Sequence, residues 1–173
     1  MNRFENKIII ITGAAGGIGA STTRRIVSEG GKVVIADYSR EKADQFAAEL
    51  SNSGADVRPV YFSATELKSC KELITFTMKE YGQIDVLVNN VGGTNPRRDT
   101  NIETLDMDYF DEAFHLNLSC TMYFNTAGFK CQQKISTRFY RVLTNITFAY
   151  ILFKPVDFKF RNFYNDLENM IQK

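Results

Sequence analysis

The sequence predicts an α/β protein built on a doubly wound parallel sheet, and three observations carry that prediction. Short runs of strand-forming residues alternate four times with amphipathic helical segments. A glycine-rich turn follows the first run directly, and an acidic residue ends the second. Strands alternating with helices pair in parallel through right-handed crossovers, and such sheets bind ligands beyond the carboxyl ends of their strands.

The first unit organises the rest. Ile8, Ile9, Ile10 and Ile11 form a run too short to settle a helix, and their branching at Cβ favours a strand buried on both faces. Thr12-Gly13-Ala14-Ala15-Gly16-Gly17-Ile18-Gly19 follows at once. Ile18, Thr22, Ile26 and Val27 then fall on one helical face, and Gly30-Gly31 stops the helix. Strand, glycine turn and helix are the context of a phosphate-binding turn. Glycine lets a pyrophosphate approach the backbone closely, and the helix N-terminus favours negative charge. Gly13, Ala15, Gly16, Gly17, Ile18 and Gly19 are therefore candidate dinucleotide-binding residues, with an ordinary βα turn as the alternative.

Lys32 to Asp37 reads as a second buried strand ending in a carboxylate. Asp37 lies 18 residues past Gly19, close to the ~20 expected of the acid that hydrogen-bonds an adenosine ribose. A carboxylate there accepts two hydroxyl protons and repels a 2′-phosphate. The turn offers no cation to neutralise one, although Arg40 is near, so NAD is expected in preference to NADP. The alternative is that Asp37 caps the next helix, which Ser39 can do equally well.

That helix spans Ser39 to Leu50, with Ala43, Phe46, Ala47 and Leu50 inward. Val57 to Phe62 makes a third strand, and Thr65 to Tyr81-Gly82 a third helix. Ile84 to Val88 is the fourth strand, running into Asn89-Asn90-Val91-Gly92-Gly93. Gly13, Asp37, Ser63 and Asn90 all lie at the carboxyl ends of these strands. The polar stretch Thr94 to Ile102 contains Arg97-Arg98, which suit either an anionic substrate or a solvated loop. Leu105 to about Phe124 forms a fourth helix with Phe110, Phe114, Asn117, Leu118 and Thr121 on one face, and the lone His115 receives no role.

With 173 residues the chain is long enough for one well-buried domain, and its net charge of +1 gives no electrostatic case for nucleic acid or an anionic membrane. No apolar run is long enough to span a bilayer, and no signal-like segment opens the chain. Cys70, Cys120 and Cys131 suit free thiols in a reducing cytoplasm, not a disulfide frame or a zinc site. The average conceals a break. Residues up to Tyr123 hold 17 acids and 13 bases and ten of the eleven glycines, whereas 124–173 hold 3 acids, 8 bases and half of all aromatics. The two segments are accordingly read as different material: an ordered domain over 1–123 and an atypical aromatic, basic tail over 124–173.

Thr12-Gly13-x-x-x-Gly17-Ile18-Gly19, the acid at Asp37, Asn89-Asn90-Val91-Gly92, and Asn117 within Leu116-Asn117-Leu118 resemble, in order and spacing, the short-chain dehydrogenase/reductase family. Within it, the stretch from Asn89 through Pro96 to Asn117 looks most like bacterial 7α-hydroxysteroid (bile-acid) dehydrogenases. The resemblance covers about the first 123 residues. It implies a Rossmann-type doubly wound sheet, here stopping after the fourth strand and following helix. It adds Ser63, Ala64, Asn90 and Gly92 to the cofactor-binding residues. Val91 stands where the family usually has alanine, and Ser63 where it usually has aspartate.

By resemblance the chemistry is hydride transfer between NAD and a carbinol carbon of a steroid or other secondary alcohol, in a homo-oligomer. The family uses a tyrosine as general acid/base, a lysine four residues later, a serine about thirteen before, and an asparagine that holds a relay water. A free phenol titrates near ~10, so an adjacent cation is what makes the phenolate accessible at neutral pH. Only the asparagine matches in register, at Asn117. Arg141 to Phe148 faintly resembles the family's fifth strand, with Phe148 at the serine position. Tyr150 and Lys154 form a Tyr-x-x-x-Lys pair with Thr137 thirteen residues earlier, but Tyr38 and Lys42 form another, and Pro155 would break the helix that displays the pair. The break after Tyr123 suggests a shifted reading frame or an unrelated fusion. Two functions follow: an NAD-dependent dehydrogenase with impaired turnover, or a catalytically inactive NAD-binding or dimerising fragment.

Overall fold

The computed structural model describes residues 2–98, 103, 106–125 and the backbone of 141–144. Five strands, β1 (Ile8–Thr12), β2 (Lys32–Asp37), β3 (Val57–Tyr61), β4 (Val86–Asn89) and β5 (Arg141–Thr144), form one sheet in the order β3-β2-β1-β4-β5. Every pairing is parallel. Among the described residues, four helices connect or follow them: α1 (Gly17–Ser28), α2 (Arg40–Asn52), α3 (Leu67–Tyr81) and α4 (Met107–Phe114).

The isoleucine run is buried along its whole length, and successive side chains part to opposite faces as strand geometry requires. Ile9 and Ile11 join Val33 and Ile35 beneath Ile26 of α1 and Phe46 and Leu50 of α2. Ile10 joins Val34, Ala36 and Leu87 beneath Leu73 and Ile74 of α3, with Phe124 in the same layer. Helices on both faces of a parallel sheet make the doubly wound architecture expected from the alternating pattern.

Three local expectations change. Ile18 is 79 % exposed, and the buried face of α1 is Gly19, Ala20, Thr23 and Ile26. The cause is Gly19, which must lie against the preceding turn: a Cβ there would sit 2.1 Å from the Gly13 carbonyl oxygen. With Gly19 inward, its neighbour Ile18 is turned out. Phe110 and Phe114 also face outward, stacked on each other with centroids 6.2 Å apart, while Tyr109, Asn117, Cys120, Thr121 and Phe124 are buried. A π turn at His115–Ser119 lies between Phe114 and the buried run Cys120, Thr121 and Phe124 and contains Asn117, and its wider winding shifts the helical phase that a uniform 3.6-residue period assumes. The fourth strand begins at Val86 and not Ile84, because Asp85 serves β1 instead: it accepts the Ile8 amide at 2.8 Å and pairs with Lys7 at 3.1 Å.

The compositional break does not coincide with the edge of the sheet or the core. Phe124 is fully buried, with its ring 5.5 Å from that of Phe62, and β5 extends the sheet beyond its fourth strand in register with β4, from Val86↔Arg141 to Asn89↔Thr144. Cys131, Thr137, Phe148, Tyr150 and Lys154 lie outside the described residues.

Candidate functional site

The carboxyl end of β1 turns sharply at Gly13, whose φ of +64° is a left-handed conformation that glycine adopts without strain. The Gly13 and Ala14 amides donate to the Ala36 carbonyl at 2.7 and 3.3 Å, so the turn is seated on β2. Gly16 is the N-cap residue of α1 and brings no side chain to its first amides, and no acid occupies the first turn. A Cβ at Gly16 or Gly17 would meet nothing within 4 Å. The turn is therefore a shallow, positively polarised cradle whose open side only a side chain or a ligand would fill.

Thr12 and Asn90 fix this cradle from below. The Thr12 hydroxyl accepts the Asn90 and Val91 amides at 3.0 and 3.2 Å and faces the Val88 carbonyl at 3.4 Å. The Asn90 amide nitrogen donates to the carbonyls of Thr12 (3.0 Å) and Gly13 (3.2 Å). Asn90, expected to bind cofactor, thus works on the turn's own backbone. Thr12 has a part that spacing alone did not single out; a hydroxyl residue closing an otherwise apolar buried strand was its signal.

Asp37 ends β2 beside this turn. One carboxylate oxygen accepts the Ala15 amide at 2.9 Å and the other the Ser39 amide at 3.0 Å. Ser39 is the α2 cap, its hydroxyl accepting from the Lys42 amide, so the capping role falls to Ser39. Arg40 pairs with Asp44 along its own helix at 3.1 Å. The exposed ring of Tyr38 lies against Tyr61, centroids 5.8 Å apart, on the same rim.

Ser63 follows β3 and is buried, its amide donating to the Ser69 hydroxyl at 2.9 Å and its own hydroxyl 3.1 Å from that of Thr65. Ala64 packs beside it against the α3 layer. Gly92 is exposed in the loop after β4. The next residue, Gly93, is held by Asn117: its amide donates to the Asn117 side-chain carbonyl at 2.9 Å, and the side-chain nitrogen donates to Gly93 O at 2.9 Å and Ala113 O at 2.8 Å. Both amide protons of Asn117 are thereby used within the protein.

The loop beyond is latched by Arg98, which bonds Asp106 at 2.8 Å and Glu112 at 3.0 Å and lies 5.0 Å above the Tyr109 ring. The Tyr109 amide and Arg98 hold the Asp106 carboxyl below the usual range. Arg98 is therefore engaged by carboxylates of its own chain, and Arg97 is exposed. A cleft of about 550 Å³ opens between Thr65, Gly93, Thr94 and α4, with Ala113, His115 and Leu116 on its wall. His115, given no role by the sequence, lines it. Among the described residues no group of three metal-ligating side chains converges, and no helix is long and apolar enough to cross a membrane.

The structure thus brings the glycine turn, Asp37, Ser63, Asn90 and Asn117 to one edge of the sheet. Known proteins match this arrangement. The short chain dehydrogenase family profile matches residues 7–136, past the change in composition at Tyr123. A 3-oxoacyl-[acyl-carrier-protein] reductase of Thermotoga maritima is 36% identical over 116 residues, 67% of this chain and 46% of that protein. A 7α-hydroxysteroid dehydrogenase of Clostridium sardiniense is 36% identical over 110 residues, 64% of this chain and 42% of that one. A short chain dehydrogenase from Mycobacterium smegmatis superposes with a TM-score of 0.74 at 29% identity, covering 78% of this chain and 55% of that chain. This chain spans less than half the length of those two curated relatives. With the family profile matching most of its length and the fold shared with a solved short chain dehydrogenase, the chain belongs to the short-chain dehydrogenase family.

Proposed function

We propose that this chain binds NAD at the carboxyl edge of β1, β2 and β4, as the cofactor-binding part of an alcohol-oxidising dehydrogenase. The observation that carries the reading is the contact between Asp37 and the Ala15 amide, which makes the ribose anchor and the phosphate cradle one surface. The diphosphate lies over the amides of residues 13–19, where Gly16 and Gly17 leave open space and Ile18 offers an exposed apolar side. The adenosine ribose rests on the outer edge of the Asp37 carboxylate. Ser63, Ala64 and Gly92 border the adenine side. Arg40, paired with Asp44, is not poised to hold a 2′-phosphate, which favours NAD over NADP.

Bound NAD supplies the hydride acceptor for a secondary alcohol. Asn117 contributes by fixing Gly93 and the π turn, not through a free side-chain amide. The substrate is a hydroxysteroid or a related secondary alcohol, a reading supported by the two 7α-hydroxysteroid dehydrogenases among the relatives, at 36% and 32% identity. Tyr150 and Lys154 are the available acid/base pair, out of the family's register, so turnover is weak. A cytoplasmic location suits the cofactor and the free thiols. Oxidation of cholic acid, followed by NADH absorbance, tests the activity; turnover that survives Tyr150→Phe would exclude that tyrosine.

One observation favours a second reading, a self-associating module that binds nucleotide without turnover. Met107, Phe110 and Phe114 leave α4 with an exposed apolar face, larger than a solvated helix needs. Sedimentation of the wild type against Phe110→Ser/Phe114→Ser tests the pairing through α4, and NADH binding without NADH formation from cholic acid separates this reading from the first.

A further inference from the structure

Between residues 2 and 98, the large apolar side chains left exposed are Ile18, Tyr38, Tyr61 and Leu67. All four stand at the carboxyl edge of the sheet: at the start of α1, after β2, at the end of β3 and at the start of α3. Two of them pair. Tyr38 is 73% exposed and Tyr61 40% exposed, with ring centroids 5.8 Å apart and ring planes inclined at 46°. The backbone on either side of Tyr38 is fixed, because the Asp37 carboxylate accepts both the Ala15 and the Ser39 amides. Tyr61 is the register partner of Asp37 on β3. The Tyr38 ring thus stands open to solvent beside the ribose anchor, backed by a second ring. The polar side chains around it are already engaged. Ser63 is 2% exposed with its hydroxyl 3.1 Å from that of Thr65, Asn90 donates to the Thr12 and Gly13 carbonyls, and Arg40 pairs with Asp44.

We propose that Tyr38, backed by Tyr61, is a specificity-determining residue that stacks the purine of the dinucleotide and reads it by its face, not by its edge. The proposal rests on the nucleotide reading above and adds which feature of the base is recognised. A purine presents two flat fused rings, and an exposed phenol beside the ribose anchor offers it a matching apolar plane. Stacking of this kind tolerates changes at the rim of the base, because every base has a π-face. A side chain that hydrogen-bonded the rim would instead reject a base whose donors and acceptors are exchanged. With Ser63 buried and bonded to Thr65, the ring face is what this corner offers. Binding therefore depends on an aromatic ring at position 38 and little on whether the purine carries an amino group or a carbonyl oxygen. The Tyr38 hydroxyl has no part in it, so phenylalanine serves equally well.

The test titrates the full chain with NADH and with reduced nicotinamide hypoxanthine dinucleotide, in which a carbonyl oxygen replaces the amino group of the base. The expected result is that the two bind within about threefold of each other, that Tyr38→Ala weakens both about tenfold, and that Tyr38→Phe keeps the wild-type affinity. The side chain is mostly exposed, so Tyr38→Ala should keep the fold, which urea denaturation checks. If that variant does not fold, proton resonances of NAD on the wild type decide: stacking on a phenol moves the adenine ring protons upfield. A gap wider than about threefold between the two dinucleotides overturns reading by the face. Unchanged affinity in Tyr38→Ala, or adenine protons that do not move upfield, overturns the stacking while the nucleotide reading stands. Failure of the wild type to bind NADH overturns both.

Discussion

The Asp37 carboxylate accepts the Ala15 amide proton at 2.9 Å, joining the end of β2 to the glycine turn that follows β1. A spacing of 18 residues in sequence becomes direct contact because β1 and β2 are parallel neighbours in register, Thr12 beside Ala36. The same carboxylate holds the first amide before α2 through Ser39. One side chain therefore sets the relative placement of two connections on the ligand edge.

The glycines of the turn separate folding from binding. Gly16→Ala adds a methyl that meets nothing within 4 Å at an extended φ, so stability should change by less than about 0.5 kcal/mol. The methyl nevertheless enters the cradle, and NADH affinity should fall about tenfold or more. Gly19→Ala drives its Cβ to 2.1 Å from a backbone oxygen and should destabilise by about 1–3 kcal/mol or more. Urea denaturation alongside NADH fluorescence titration of both variants checks the contrast.

Asn117→Leu removes every side-chain hydrogen bond to Gly93 and Ala113. It leaves the Gly93 amide and carbonyl without these partners, at a cost of about 1–3 kcal/mol each where they stay buried. Asn117→Asp keeps the acceptor for the Gly93 amide but turns its second oxygen toward the Gly93 and Ala113 carbonyls, so the buried carboxylate also destabilises. Chemical denaturation should show both variants below the wild type.

Phe124→Ala tests whether the core crosses the compositional boundary. The side chain is fully buried against Phe62, and its truncation should cost about 3–5 kcal/mol. A loss below about 1 kcal/mol would mean that residues past Tyr123 do not support the domain.

Glu29 gives a pH dependence with a definite sign. Its hydrogen bond to Arg3, reinforced by Arg25, lowers its pKa to about 2. The ionised form is thus favoured in the fold more than in the unfolded chain. Its stabilisation is fully present above the unfolded-state value and drains away as pH falls from near 4.5 through about 2. Urea midpoints measured down that range should decline in the wild type and decline less in Glu29→Gln.

The sequence carried the sheet because Ile8 to Ile11 and Val33 to Ala36 are apolar on both faces, a pattern that only a strand covered on both sides can satisfy. It also carried Asp37 and the glycine turn, whose spacing is set by one βα unit. The outward turn of Ile18 was not legible, because it depends on a backbone contact between Gly13 and Gly19. Nor was the exposure of Phe110 and Phe114, since a π turn leaves no mark in hydrophobic period. Arg141 to Thr144 carried a trace of a strand within a tail of foreign composition, and pairing with β4 is what identifies it. The inward use of Asn90 and Asn117 depends on which backbone groups the turns leave open, and no residue pattern reports that.

Equilibrium titration of the full chain with NADH and NADPH, repeated on Asp37→Ser, tests the account most directly. The predicted result is NADH binding at least about tenfold tighter than NADPH, with that preference lost in the variant. Failure of the wild type to bind either nucleotide, or an NADH affinity indifferent to Asp37→Ser, would contradict it.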